Sequence, residues 1–88
     1  MLPRIPSLNW LRVFEAAART ESFSRAASQL NMSPAAVSQQ VKALETRLGT
    51  PLFHRHAHAV TLTEAGRADV PSVQAWLLML EPATTGLF

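Results

Sequence analysis

Cysteine is absent from the chain, so neither a disulfide nor a thiolate metal site is available to it. Glycine is scarce, with three in 88 residues, which leaves little room for a glycine-rich phosphate loop. No paired carboxylates and no nucleophile–base pair stand at a catalytic spacing, so the sequence reads as a non-enzyme that needs no cofactor. Long apolar runs are also missing. The most apolar stretch, Trp76-Leu77-Leu78-Met79-Leu80, falls far short of the ~20 residues that a membrane helix requires. The first residues, Met1-Leu2-Pro3-Arg4-Ile5-Pro6, carry two prolines and no continuous apolar stretch, unlike a secretory signal. A soluble cytoplasmic protein with no membrane partner is the expectation.

What is present has a globular balance, with 48% hydrophobic and 16% charged residues. A chain of this length buries only roughly 60–65% of the surface that its unfolded form exposes, so its stability margin is thin. The net charge of +2 is unevenly placed. Residues 1–67 hold all eight Lys/Arg against four Asp/Glu, a net +4, whereas residues 68–88 hold only Asp69 and Glu81, a net −2. A basic body with an apolar, slightly acidic tail suits a polyanion at one end and an apolar partner at the other.

The periodicity predicts four helices and one hairpin. Ser7 is the candidate N-cap of a first helix from Leu8 to about Arg19, with Leu11, Phe14 and Ala18 on its buried stripe. Ser22 caps a second helix in which Phe23, Ala26, Ala27 and Leu30 fall on one face. Asn31-Met32-Ser33 makes a short connection. Ser33-Pro34 then starts a third helix, a capping hydroxyl followed by proline where no N–H is needed. Gly49 is placed to end that helix after Leu48, and Pro51 prevents its continuation. Leu52–His56 and Val60–Leu62 read as a small hairpin around Ala57-His58-Ala59, although no glycine or asparagine marks the turn. Thr63 caps a fourth helix that runs to about Leu80, with Glu64 in its first turn. Pro71 lies inside that helix and is expected to kink it or shift its start.

The third helix has two unlike faces. Val37, Val41, Leu44 and Leu48 share the side expected to pack on the first two helices, while Ala35, Ser38, Gln39 and Lys42 point the other way. An α-helix fits the DNA major groove, and small side chains permit close approach. On that outward face Ala35 suits a thymine methyl, Gln39 a bidentate pair with adenine, and Lys42 a guanine or a phosphate. Any amphipathic helix has a polar outer face that is often merely solvated. The context tips the reading: two short helices, a three-residue turn, a face with one charge, and a basic hairpin behind it.

Four segments then carry a resemblance: Leu8–Arg19 (LNWLRVFEAAAR), Ser22–Leu30 (SFSRAASQL), Ser33–Glu45 (SPAAVSQQVKALE) and Leu62–Gly66 (LTEAG). Together they resemble the amino-terminal domain of LysR-type transcriptional regulators, in the glycine-cleavage-activator-like branch. The resemblance implies a mainly α winged helix-turn-helix over residues 1–63: a three-helix core with a small β-hairpin wing. It implies that residues 64–88 form a long linker helix, with a tail, that pairs with its copy in a homodimer. It places the third helix in the major groove of double-stranded DNA and the wing against the minor groove or backbone. Family base and phosphate contacts map to Ser33, Pro34, Ala35, Ser38, Gln39 and Lys42. Gln39 stands where many members have arginine, which argues against guanine readout there. His58 stands at a wing position where a groove-inserting arginine is frequent, which argues against strong wing contacts.

Arg55 is the best wing cation, and a phosphate is its expected contact. Ser22 and Ser24 sit where the free N–H groups of the second helix suit a phosphate, and simple capping explains both serines equally well. Arg25 is a further candidate for the backbone or a solvated charge. His54, His56 and His58 alternate, so one strand face could gather three imidazoles around a metal. The run crosses the turn, however, and no carboxylate lies nearby in sequence to orient the rings. An exposed wing with partly protonated histidines near phosphates fits better and predicts tighter DNA binding at lower pH. On the fourth helix, apolar residues occupy more than one side, which implies a partner helix. The leading function is sequence-specific DNA binding as a homodimer through helix 64–80, with no small-molecule effector within this chain. The alternative is a truncated regulator that acts by heterodimerising with a full-length relative.

Overall fold

A computed structural model describes residues 8–57 and 59–80. Chain order is α1 (Leu8–Thr20), α2 (Phe23–Leu30), α3 (Pro34–Leu48), β1 (Phe53–Arg55), β2 (Val60–Leu62) and α4 (Glu64–Leu80). The predicted elements therefore appear in the predicted order, as a winged helix-turn-helix. Ser7, the expected cap of α1, lies outside the described residues.

Each boundary follows from local chemistry. α1 ends at Glu21, whose left-handed backbone (φ 55°) lets its N–H reach the Ala17 carbonyl at 2.8 Å. Ser22 is extended, and its Oγ accepts from the Arg25 N–H at 3.1 Å, which starts α2. Asn31 closes α2 in the left-handed region at φ 58°, and the Met32 N–H reaches back to the Ala27 carbonyl at 2.9 Å. Asparagine tolerates that conformation better than most side-chain-bearing residues, so the turn needs no glycine. Ser33 then caps α3 through the Ala36 N–H at 3.1 Å, with Pro34 at its start, and Gly49 ends it at φ 76°.

The core lies where the three helices meet. Val13, Phe14 and Ala17 of α1, Ala26 and Ala27 of α2, and Val37, Val41 and Leu44 of α3 are all buried. The two alanines of α2 let three backbones approach closely, which a larger side chain at either position would prevent. Leu48 does not join this core. It is 43% exposed and lines an open apolar groove with Leu11 of α1 and Val73 and Trp76 of α4.

The hairpin is shorter than its sequence runs. β1 and β2 have three residues each, antiparallel, with Phe53 opposite Leu62, His54 opposite Thr61 and Arg55 opposite Val60. Leu52 is buried but precedes the strand. Phe53 anchors the hairpin edge-to-face against Phe14 of α1 (5.7 Å between centroids) and Phe23 of α2 (5.6 Å). The Val60 N–H also donates to the Glu21 carbonyl at 3.1 Å, which ties the second strand to the α1–α2 turn.

Thr63 sits before α4 as predicted, its Oγ1 accepting from the Gly66 N–H at 3.0 Å and donating to the Pro51 carbonyl at 2.8 Å. α4 runs unbroken from Glu64 to Leu80, so Pro71 does not shift its start. Pro71 is exposed, and the helical carbonyl that it leaves without a donor can turn to water. Val73 of α4 is buried in the core, with Val70 and Leu77 packed at its edge. Trp76 and Leu78 remain 39% and 67% exposed. Among the described residues no helix is long and apolar enough to cross a membrane.

Candidate nucleic-acid interface

Helical geometry places Ala35, Ser38, Gln39 and Lys42 together on one side of α3. Ala35, Gln39 and Lys42 are exposed, and Ser38 is half-buried. Val37, Val41 and Leu44, on the opposite side, are buried. The two faces separate as the sequence predicts, with Leu48 the exception. Ser33 and Pro34 are exposed at the start of the same helix, so a groove-bound α3 would present its N-terminal turn together with these side chains.

The starts of α2 and α3 are both capped by serine. In each, the side-chain oxygen is engaged with a backbone N–H, while the hydroxyl proton remains available to an acceptor. Ser22 is half-buried, and its own N–H is 3.3 Å from Thr20 Oγ1. Ser24 and Arg25 are exposed on the first turn of α2. The capping role assigned to Ser22 is thus filled, and Ser24 stands beside it on the surface.

Arg55, read from sequence as the best wing cation, has close company. Its Nη2 donates to Glu45 Oε1 at 3.0 Å, its Nη1 lies 3.5 Å from Ser38 Oγ, and its guanidinium carbon sits 5.1 Å from the centre of the Phe23 ring. The side chain is 39% exposed, so one edge of the guanidinium still meets solvent. The wing cation therefore lies against α3 and α2.

Glu45 is the residue that sequence reasoning missed. Its Oε1 holds Arg55, while its Oε2 accepts from the backbone N–H groups of Leu52 (2.7 Å) and Phe53 (3.2 Å). One carboxylate thus fixes both the entry to β1 and the cation at its far end. The partners lie seven to ten positions downstream, across the chain reversal at Gly49–Pro51. A helical or strand repeat gives no signal at that spacing. The clue available was an acid on an otherwise neutral-to-basic helix, shortly before a strand that carries arginine.

On the wing, His54 and His56 are exposed, and His56 Nε2 is 3.0 Å from Thr61 Oγ1. His58 lies outside the described residues.

Over residues 8–67 the chain matches the family described as bacterial regulatory helix-turn-helix protein, lysR family. It is 46% identical over 87 residues to the glycine cleavage system transcriptional activator of Escherichia coli (strain K12), covering 99% of this chain and 28% of that protein. The chain thus spans little more than a quarter of that relative. Its fold matches the oxidized form of Corynebacterium glutamicum OxyR with a TM-score of 0.89 at 33% identity, over 96% of this chain and 27% of that one. The DNA-binding domain of CbnR, solved in complex with DNA, gives a TM-score of 0.83 at 28% identity, with 90% and 91% of the two chains covered. Sequence and fold agree across nearly the whole chain, which belongs to the LysR family of bacterial helix-turn-helix transcriptional regulators.

Proposed function

We propose that this chain binds DNA sequence-specifically as a homodimer, with α3 in the major groove and α4 pairing the subunits. The observation that carries the reading is the outward face of α3. Ala35, Ser38, Gln39 and Lys42 offer one methyl, one hydroxyl, one amide and one ammonium on a surface bounded by two serine-capped helix starts. Gln39 pairs with adenine, Ala35 packs on a thymine methyl, and Lys42 reaches a guanine or a phosphate. Ser22, Ser24, Ser33 and Pro34 lie against the backbone, with His58 and the exposed edge of Arg55 contributing from the wing. Residues 1–63 supply the reading unit and residues 64–88 the pairing unit, in a cytoplasmic, non-enzymatic regulator.

Support for pairing comes from α4, where Trp76 and Leu78 stay exposed although Val73 of the same helix is buried. A two-fold dimer would set two copies of α3 about one DNA turn apart on an inverted repeat.

The test is a set of titrations against a selected site and a scrambled one, at several salt concentrations. Gln39→Ala should lose affinity for the selected site and little for the scrambled one. Lys42→Ala should weaken both and reduce the salt slope by about one. Equal losses on both DNAs for Gln39→Ala would sink the readout. Light scattering during gel filtration separates the alternative: a stable dimer without DNA affinity would mark the chain as a heterodimerisation module for a full-length relative.

A further inference from the structure

A serine hydroxyl in a DNA groove donates or accepts, and so by itself it discriminates poorly among bases. Ser38 is not free in this way. The guanidinium of Arg55 stands 3.5 Å from its oxygen, at the long end of hydrogen-bonding range, and a guanidinium has donors only. A cation on that side favours the lone pairs of Ser38 Oγ facing Arg55, with the hydroxyl proton directed away from it. A helical serine can otherwise place its proton on the carbonyl four residues back. Among the described residues, the hydrogen bond seen at Ser38 Oγ is the one from Arg55.

Arg55 is itself held from two further sides. Glu45 Oε1 takes its Nη2 at 3.0 Å, and the Phe23 ring lies under the guanidinium at 5.1 Å. Glu45 is only 13% exposed, and its second oxygen is fixed by the Leu52 and Phe53 N–H groups. The acid, the cation and the hydroxyl form a relay from the rigid start of the wing to the outward face of α3.

We propose that Glu45 and Arg55 are positioning residues that make Ser38 an obligate donor, so that Ser38 specifies a base edge bearing an acceptor at one position of the site. The inference rests on the reading of α3 as the groove-bound helix. Guanine O6 and N7, adenine N7 and thymine O4 satisfy such a donor, whereas cytosine presents its N4 amino group, itself a donor. Cytosine opposite Ser38 leaves two donors facing each other. The discrimination expected from one neutral hydrogen bond of this kind is roughly five- to tenfold in Kd.

The experiment uses the whole 88-residue chain. Sites are selected from random DNA, and Kd is measured on the selected duplex and on single-base variants of it. Ser38→Ala identifies the base pair that Ser38 reads. Wild type should disfavour cytosine there by roughly five- to tenfold. Arg55→Gln, whose amide donates or accepts, should abolish that preference while the preference set by Gln39 at its own position persists. Arg55→Lys, another donor-only cation, should retain it. Glu45→Gln should behave as Arg55→Gln does, with circular dichroism confirming that each variant is folded. Retention of the Gln39 preference also separates lost positioning from general loss of structure. Two results overturn the relay: wild type accepting cytosine equally at that pair, or Arg55→Gln losing affinity by one factor on every base with the preference intact. Failure of wild type to select any sequence overturns the DNA-binding reading itself, a separate result visible before any variant is made.

Discussion

The backbone of Gly66 lies so close to the carbonyl oxygen of Leu52 that a Cβ on Gly66 would collide with it and crowd the Leu62 side chain. The glycine lets α4 settle onto the segment that leads into the wing. On helix propensity alone, Gly66→Ala would stabilise α4 by about 1 kcal/mol. The collision reverses the sign, because backbone rather than a flexible side chain would have to move. Gly66→Ala is expected to lower the unfolding free energy by about 1–3 kcal/mol, read from the urea midpoint at unchanged slope.

Glu21 carries a left-handed backbone that a glutamate adopts at a cost of about 1 kcal/mol. Its role at the end of α1 is played by its main chain, through the bonds to Ala17 and from Val60. Glu21→Gly should therefore raise the melting temperature by a few degrees, whereas Glu21→Val should lower it. A lower melting temperature for the glycine variant would show that the side chain outweighs the strain.

Phe53 joins the wing to the core by two edge-on ring contacts, with Phe14 and Phe23. Phe53→Leu keeps most of the apolar volume and loses both ring geometries. A loss of about 1–2 kcal/mol in stability is expected, measured by equilibrium denaturation. An unchanged midpoint would mean that volume alone holds the hairpin in place.

Leu78 is the most exposed large apolar side chain described, so changing it leaves the fold of one subunit alone. Leu78→Gln should shift the dimer toward monomer in light scattering and weaken DNA binding in parallel. The outward face of α3 carries Lys42 as its one cation, so a single copy gains little affinity by itself. Loss of pairing with full DNA affinity would remove α4 from the binding reaction.

How much of this was legible in the sequence depends on the range over which each determinant acts. Ser22, Ser33-Pro34, Gly49 and Thr63 act within four residues, so their spacing to the apolar stripes located the helix boundaries. The two faces of α3 were legible because a helix repeats. Periodicity places Leu48 on the buried stripe of α3, but it describes one helix and carries no information on the open groove that Leu48 lines with Leu11 and Trp76. Pro71 sits on an exposed side of α4, where the missing hydrogen bond costs least, and the sequence did not reveal that orientation. The pairing of Glu45 with Arg55 joins a helix to a strand across a turn, and it depends on tertiary geometry that no local pattern encodes.

The bond from the Val60 amide to the Glu21 carbonyl makes the second strand of the wing an extension of the turn between α1 and α2. Together with the Phe53 anchor, it fastens the hairpin to α1 and α2, the two helices on which α3 packs. In the proposed dimer, each subunit would then meet DNA as one stiff caliper jaw. Any tolerance for half-sites set slightly nearer or farther apart would have to come from the hinge between jaws, at α4.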